Sequence, residues 1–110
     1  PRPDFILGDR YASSCAPVIT DLAQEALESL GYTVARNRPY AGGFITERYG
    51  VPSRGIHALQ VEVNRGLYMD EKRIAKHSAF ESLKRDIALF AEMFLNSVTS
   101  ELRPRAAAAE

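Results

Sequence analysis

One cysteine, two histidines and no surplus of charge are what the 110 residues offer for the commonest kinds of site. The lone Cys15 cannot close an intramolecular disulfide, a usage that fits a reducing compartment. Lys+Arg and Asp+Glu number 14 each, so there is no net field to draw the chain to nucleic acid or to an anionic membrane. Any charged ligand has to be recognised locally. No apolar run approaches the roughly 18–20 residues of a membrane span, and the opening PRPDFILGDR has no signal-peptide layout. Without an initiator methionine, and with a strand-like run close behind Pro1, the sequence reads as a cytoplasmic fragment or processed piece. There is no internal repeat.

Ready-made motifs are missing too. His57 and His77 lie far apart and neither belongs to an HExxH or HxxE pair, so no metal-ligating residue is assigned, and His57 is read as a strand histidine. Ser13, Ser14 and Cys15 do not form GxSxG, although Cys15 falls near a helix start that would lower a thiol pKa. A small residue ahead of a helix is the simpler reading of that stretch. Gly42-Gly43 lacks the spacing of a nucleotide-binding loop.

What is present is an ordinary globular composition, 45% hydrophobic and 25% charged, enough for one modest core. Phe5-Ile6-Leu7, closed by Gly8-Asp9, reads as a short buried strand. Small polar residues before Pro17 mark a helix start; Ile19, Leu22, Ala23, Ala26, Leu27 and Leu30 recur at helical spacing, and Gly31 ends the helix. Tyr32 to Ala35 is a second strand, making a βαβ unit with parallel strands. Arg36 to Gly55 is punctuated by Pro39, Gly42, Gly43, Gly50 and Pro52 and reads as a loop of about twenty residues, of the length that is usually functional. Ile56 to Val63 is the clearest strand, with Leu59, Val61 and Val63 on one face and Ile56, Ala58, Gln60 and Glu62 on the other. Ser78 and Glu81 form a capping box before a long amphipathic helix whose stripe runs from Phe80 to Leu102, with Pro104 as its stop. The expected class is α/β in the order β-α-β-loop-β-α, a single domain over 1–103 with a tail at 104–110.

Polar groups on a core strand need partners or a cleft, because burying one unpaired costs on the order of 1–3 kcal/mol. Gln60, Glu62, Asn64 and Arg65 therefore mark the place to look for chemistry. Glu62, toward the carboxyl end of its strand, suits a general base or proton shuttle, or else forms an internal ion pair with Arg65. Arg36 and Arg65 are each able to grip a carboxylate through two parallel hydrogen bonds.

Asn37-Arg38-Pro39-Tyr40-Ala41-Gly42-Gly43-Phe44-Ile45-Thr46, then Tyr49-Gly50, then His57-Ala58-Leu59-Gln60-Val61-Glu62-Val63-Asn64-Arg65-Gly66-Leu67-Tyr68-Met69, closely resembles the N-formylglutamate amidohydrolase family. Leu7-Gly8-Asp9-Arg10 with Ser14-Cys15 is similar to that family's segment after its central metal-binding strand. The resemblance implies an α/β/α sandwich around a mixed sheet, similar to the zinc exopeptidases. It implies metal-assisted hydrolysis of N-formyl-L-glutamate, or a related N-acyl amino acid, to glutamate and formate in histidine breakdown. On that pattern Glu62 is the proton-shuttling carboxylate, while Asn37, Tyr40, Gly42, Gly43, Gln60 and Arg65 line the substrate pocket. Zinc or another divalent metal would be held by the amino-terminal portion of the parent enzyme, so the isolated chain is expected to be inactive. The partner expected is a small N-acyl amino acid, with no nucleic acid and no membrane. A different class of reading is a non-enzymatic module that binds a small carboxylated ligand, or a homo-oligomer formed through an exposed sheet edge.

Overall fold

Phe5–Gly8 (β1) is the middle strand of a three-stranded sheet, flanked by Val34–Arg36 (β2) and Gln60–Val63 (β3). The computed structural model describes residues 2–70, 72, 75–76 and 78–102, with the main chain alone at 75 and 76. β1 runs parallel to β2, pairing Phe5 with Val34 and Leu7 with Arg36, as the βαβ reading expects. It runs antiparallel to β3, pairing Phe5 with Val63, Ile6 with Glu62, Leu7 with Val61 and Gly8 with Gln60. The architecture is therefore mixed α/β.

Between β1 and β2 lies the helix Pro17–Ser29 (α1), started by a proline whose missing N–H is not needed in the first turn. Its N-cap is Ala16, which offers no side-chain acceptor, and the small polar residues expected to announce the helix are used elsewhere. Ser14 Oγ donates to Ala58 O at 2.9 Å, and the Ala16 N–H is taken by His57 Nδ1 at 3.1 Å. At the other end Gly31, at φ 95°, donates its N–H to Glu28 O, and Tyr32 N–H reaches back to Leu27 O. This pair of bonds is a Schellman closure, and it turns the chain directly into β2.

Phe80–Leu102 (α3) packs against α1. It begins at Phe80, after Ala79, whose carbonyl accepts the Leu83 N–H, so Ser78 lies one residue outside the capping position expected for it. Phe5, Leu7, Ala23, Ala26, Leu27, Leu83 and Phe90 form the buried core, so both long helices lie on the sheet face that carries Phe5 and Leu7. Burial of each leucine and phenylalanine among them contributes about 1.5–3 kcal/mol. The opposite face, with Ile6, Ala35, Gln60 and Glu62, is half-buried. Among the described residues no long helix covers it, which leaves two layers where the resemblance implied three. The expected stop at Pro104 and the 104–110 tail lie outside the described residues.

Two stretches depart from expectation. The long loop contains a helix, Phe44–Tyr49 (α2), and a 3-10 turn at Pro52–Arg54. No apolar stripe announces α2, because Phe44, Ile45 and Tyr49 are all exposed and only Thr46 is buried. The strand expected over Ile56–Val63 forms only at Gln60–Val63: Ile56 bridges back to Val51, and Ala58 N–H donates to Ser14 O rather than to a strand. The connector after Leu67 adds a two-stranded ladder of Met69–Asp70 (β4) and Ala75–Lys76 (β5).

Candidate active site

At the carboxyl end of β1 the chain makes three consecutive left-handed residues, Arg10, Tyr11 and Ala12, at φ 50°, 56° and 70°. None is glycine, so each carries a conformational cost of roughly 1–2 kcal/mol that surrounding bonds must offset. Those bonds converge on Asp9, which in the sequence reads only as a turn residue. Buried at 3% exposure, its carboxylate accepts from Thr20 Oγ1 at 2.9 Å, Asn37 Nδ2 at 2.9 Å and Ala12 N–H at 3.0 Å. Asn37 Oδ1 in turn accepts from the Asp9 and Tyr11 N–H groups. Burial alone would raise the Asp9 pKa, but the bonds from Ala12, Asn37 and Thr20, with the charge of Arg36, hold it below the ordinary carboxylate range.

Cys15 is fully buried beside this network, and burial pushes its thiol up, with the Asp9 charge adding to the shift against a bond with Thr20. The lowering expected from a nearby helix start is therefore overridden. Arg36 is also committed: its guanidinium pairs with Asp21 and bonds Gln24 Oε1 at 2.7 Å.

A second cluster lies on the open face of the sheet. A cavity of about 490 Å³ is lined by Ile6, Pro39, Tyr40, Glu62, Val63, Asn64 and Arg65, together with Arg2 and Pro3 ahead of β1. Alternation along β3 places Glu62 on this side, while Val63 next to it borders the cavity and also packs against the core on the other face. Because β3 is antiparallel, its carboxyl end adjoins the amino end of β1. The cavity is therefore lined at the amino end of β1 by Arg2, Pro3, Asn64 and Arg65, and from the other side by Pro39 and Tyr40, which follow the carboxyl end of β2.

Of the residues expected to line a substrate pocket, Tyr40 and Arg65 share this cavity with Glu62, and four do not. Asn37 is turned toward Asp9. Gln60 stands beside the cavity and donates from Nε2 to Glu62 Oε1 at 3.2 Å. Gly42 and Gly43 lie in the loop over the far end of β1, where Gly8 is so close that a Cβ there would sit 2.6 Å from the Ala41 carbonyl carbon. Gly42, at φ 128°, is packed against Thr46 and Arg10, and a Cβ on Gly43 would come within 3.3 Å of Gln60 Oε1. Their role is close backbone approach. The ion pairs among the described residues are Arg10 with Glu47 and Arg36 with Asp21, so the internal Glu62–Arg65 pair is not formed.

Residues 1–69 match the family described as N-formylglutamate amidohydrolase. The chain belongs to that family. N-formylglutamate deformylase of Pseudomonas putida is 41% identical over 70 residues, which cover 63% of this chain and 26% of the relative. The enzyme of the same name from Pseudomonas aeruginosa is 37% identical over 71 residues, covering 64% of this chain and 27% of the relative. The crystal structure of N-formylglutamate amidohydrolase from Ralstonia eutropha JMP134 superposes with a TM-score of 0.79 at 38% identity, over 87% of this chain and 35% of that one. The chain spans about a quarter of the length of its curated N-formylglutamate deformylase relatives. All the cavity residues fall inside the family match.

Among the described residues no three of His, Cys, Asp or Glu come together as a metal ion requires. Nor is any helix among the described residues long and apolar enough to cross a membrane.

Proposed function

We propose that the chain supplies the proton-transferring carboxylate and part of the substrate walls of an enzyme that hydrolyses N-formyl-L-glutamate, or a related N-acyl amino acid, to the free amino acid and formate. The observation that carries this reading is the meeting of a half-buried Glu62 with Tyr40 and Arg65 on one cavity in a chain of this family. As a carboxylate, Glu62 takes a proton from the water that attacks the formyl carbon, then delivers it to the amine nitrogen as the C–N bond breaks. Gln60 orients the Glu62 oxygen that it bonds. Tyr40 and Pro39 form an apolar wall, and Arg65 faces a substrate carboxylate. Zinc or another divalent cation is assigned to residues outside those described, and each of these steps belongs to the chain's own side chains. A zinc-exopeptidase-like third layer, a cytoplasmic setting and a place in histidine breakdown belong to the same proposal.

The test is a graft. Residues 1–69 of this chain replace the matching stretch of the Pseudomonas putida enzyme, and formate release from N-formyl-L-glutamate is measured. The graft is expected to be active and its Glu62→Gln form to lose about 10²–10⁴-fold in rate; an undiminished Glu62→Gln rate refutes the assignment. The 110-residue chain alone, supplied with zinc, is expected to release no formate.

One observation favours a second reading. Asn64 N–H bonds Asp4 O, Phe5 N–H bonds Thr33 O and Asn37 N–H bonds Leu7 O. Alternation from those bonds turns the main-chain N–H and C=O of Val61 and Val63 outward along the free edge of β3. A second copy of the chain paired there would appear as a dimer in sedimentation equilibrium, and a monomer at all concentrations would exclude it.

A further inference from the structure

The same cavity holds a guanidinium that neither the family pattern nor the alternation of β3 singles out. Arg2 lies ahead of β1, and its Nη2 donates to Asn64 Oδ1 at 2.8 Å. Asn64 is itself held, since that oxygen also accepts the Gly66 N–H at 2.9 Å and its Nδ2 faces Pro3 O at 3.5 Å. Arg2 is in neither of the ion pairs formed among the described residues. A guanidinium has five N–H donors, and this one, on an exposed side chain at the edge of the cavity, gives a single bond to a neutral amide and has no carboxylate partner among the described residues. Arg10 and Arg36, by contrast, are each paired with an acid.

We propose that Arg2 binds the side-chain carboxylate of an acidic N-acyl amino acid and so selects for it over its neutral amide. The inference rests on the acyl-amino-acid reading of this cavity. Glu62 and Asn64 lie two residues apart on the same face, a separation of about 7 Å along an extended chain. In an N-acyl glutamate four bonds link the amide nitrogen to the side-chain carboxyl carbon, about 5 Å when extended, whereas the α-carboxyl carbon is only two bonds away, about 2.5 Å. With the scissile amide at Glu62, the more distant carboxylate arrives beside the residue that holds Arg2.

The experiment titrates the 110-residue chain with N-formyl-L-glutamate and with N-formyl-L-glutamine, followed by heteronuclear NMR, in wild type and Arg2→Gln. Arg2 is exposed and holds the fold through one side-chain bond, so the variant keeps the wild-type spectrum away from the cavity. Wild type is expected to prefer the glutamate by roughly tenfold, as a lost charge-assisted pair implies, and Arg2→Gln to bind both alike. A preference that survives Arg2→Gln, or equal binding of the two ligands by wild type, overturns the assignment of Arg2 while leaving the acyl-amino-acid reading standing. Binding of neither ligand overturns both.

Discussion

Asn37 grips Asp9 from two sides: its Nδ2 donates to the Asp9 carboxylate at 2.9 Å, and its Oδ1 accepts the Asp9 main-chain N–H at 3.1 Å. The amide thereby ties the end of β2 to the end of β1, and it does so from a left-handed backbone at φ 63° that asparagine tolerates better than most residues. Asn37→Ala removes the bonds and leaves Asp9 under-satisfied in a buried site, with an expected loss of about 1–3 kcal/mol in urea unfolding. Asn37→Gly relieves the backbone but not the lost bonds, so it should recover only a fraction of that loss.

Asp9 makes folding sensitive to acid. Its pKa is lower in the folded chain than in the unfolded one, so its contribution is complete above the ordinary value of about 3.9 and is lost as pH falls below that through the folded value. Unfolding midpoints measured down this range should fall for the wild type, and the slope should flatten in Asp9→Asn.

Tyr32 acts at the other extreme. Burial, then the bond that its hydroxyl donates to Asp86, pushes the phenol up to about 12. The folded state holds this proton more tightly, so the stabilisation is whole below the unfolded value of about 10 and disappears as pH rises through about 12. A phenolate absorbance titration should show one late step, absent in Tyr32→Phe.

Gly8→Ala tests the close approach of the loop to β1. A methyl group 2.6 Å from the Ala41 carbonyl carbon forces main chain apart, with an expected cost of about 1–3 kcal/mol. Tyr40, next along the loop, should move with it and shift its ring resonances.

Ala12→Gly should act in the opposite sense. Its φ of 70° suits glycine, and its N–H bond to Asp9 is kept, so relief of strain is expected to exceed the extra freedom of the unfolded chain by about 0.5–1 kcal/mol. Thermal unfolding would record the gain.

Much of the frame was legible because it follows periodic burial. The stripe from Ile19 to Leu30 gave α1, Gly31 its closure, and the apolar strands on either side their parallel pairing. Alternation likewise put Glu62 on the face away from the core, and the Pro39-Tyr40 bend reaches the same cavity. What escaped depends on contacts distant in sequence. Asp9 after Gly8 looks like any turn, and only its position at the end of a buried strand hinted that its side chain would gather Thr20 and Asn37. Helix α2 turns its apolar residues outward, so no stripe betrays it. The early part of the expected third strand is held by Ser14, a partner 44 residues away that no local pattern reveals.

The pairing of Ile6 with Glu62 ties two outcomes to one choice of register. A slide of β3 by a single residue would drive the carboxylate among Phe5, Leu7 and the helices and would swing a valine over the hollow instead. Correct assembly of the sheet and aim of the acid are thus the same event, so any insertion or deletion between Ala58 and Asn64 that disturbs one disarms the other.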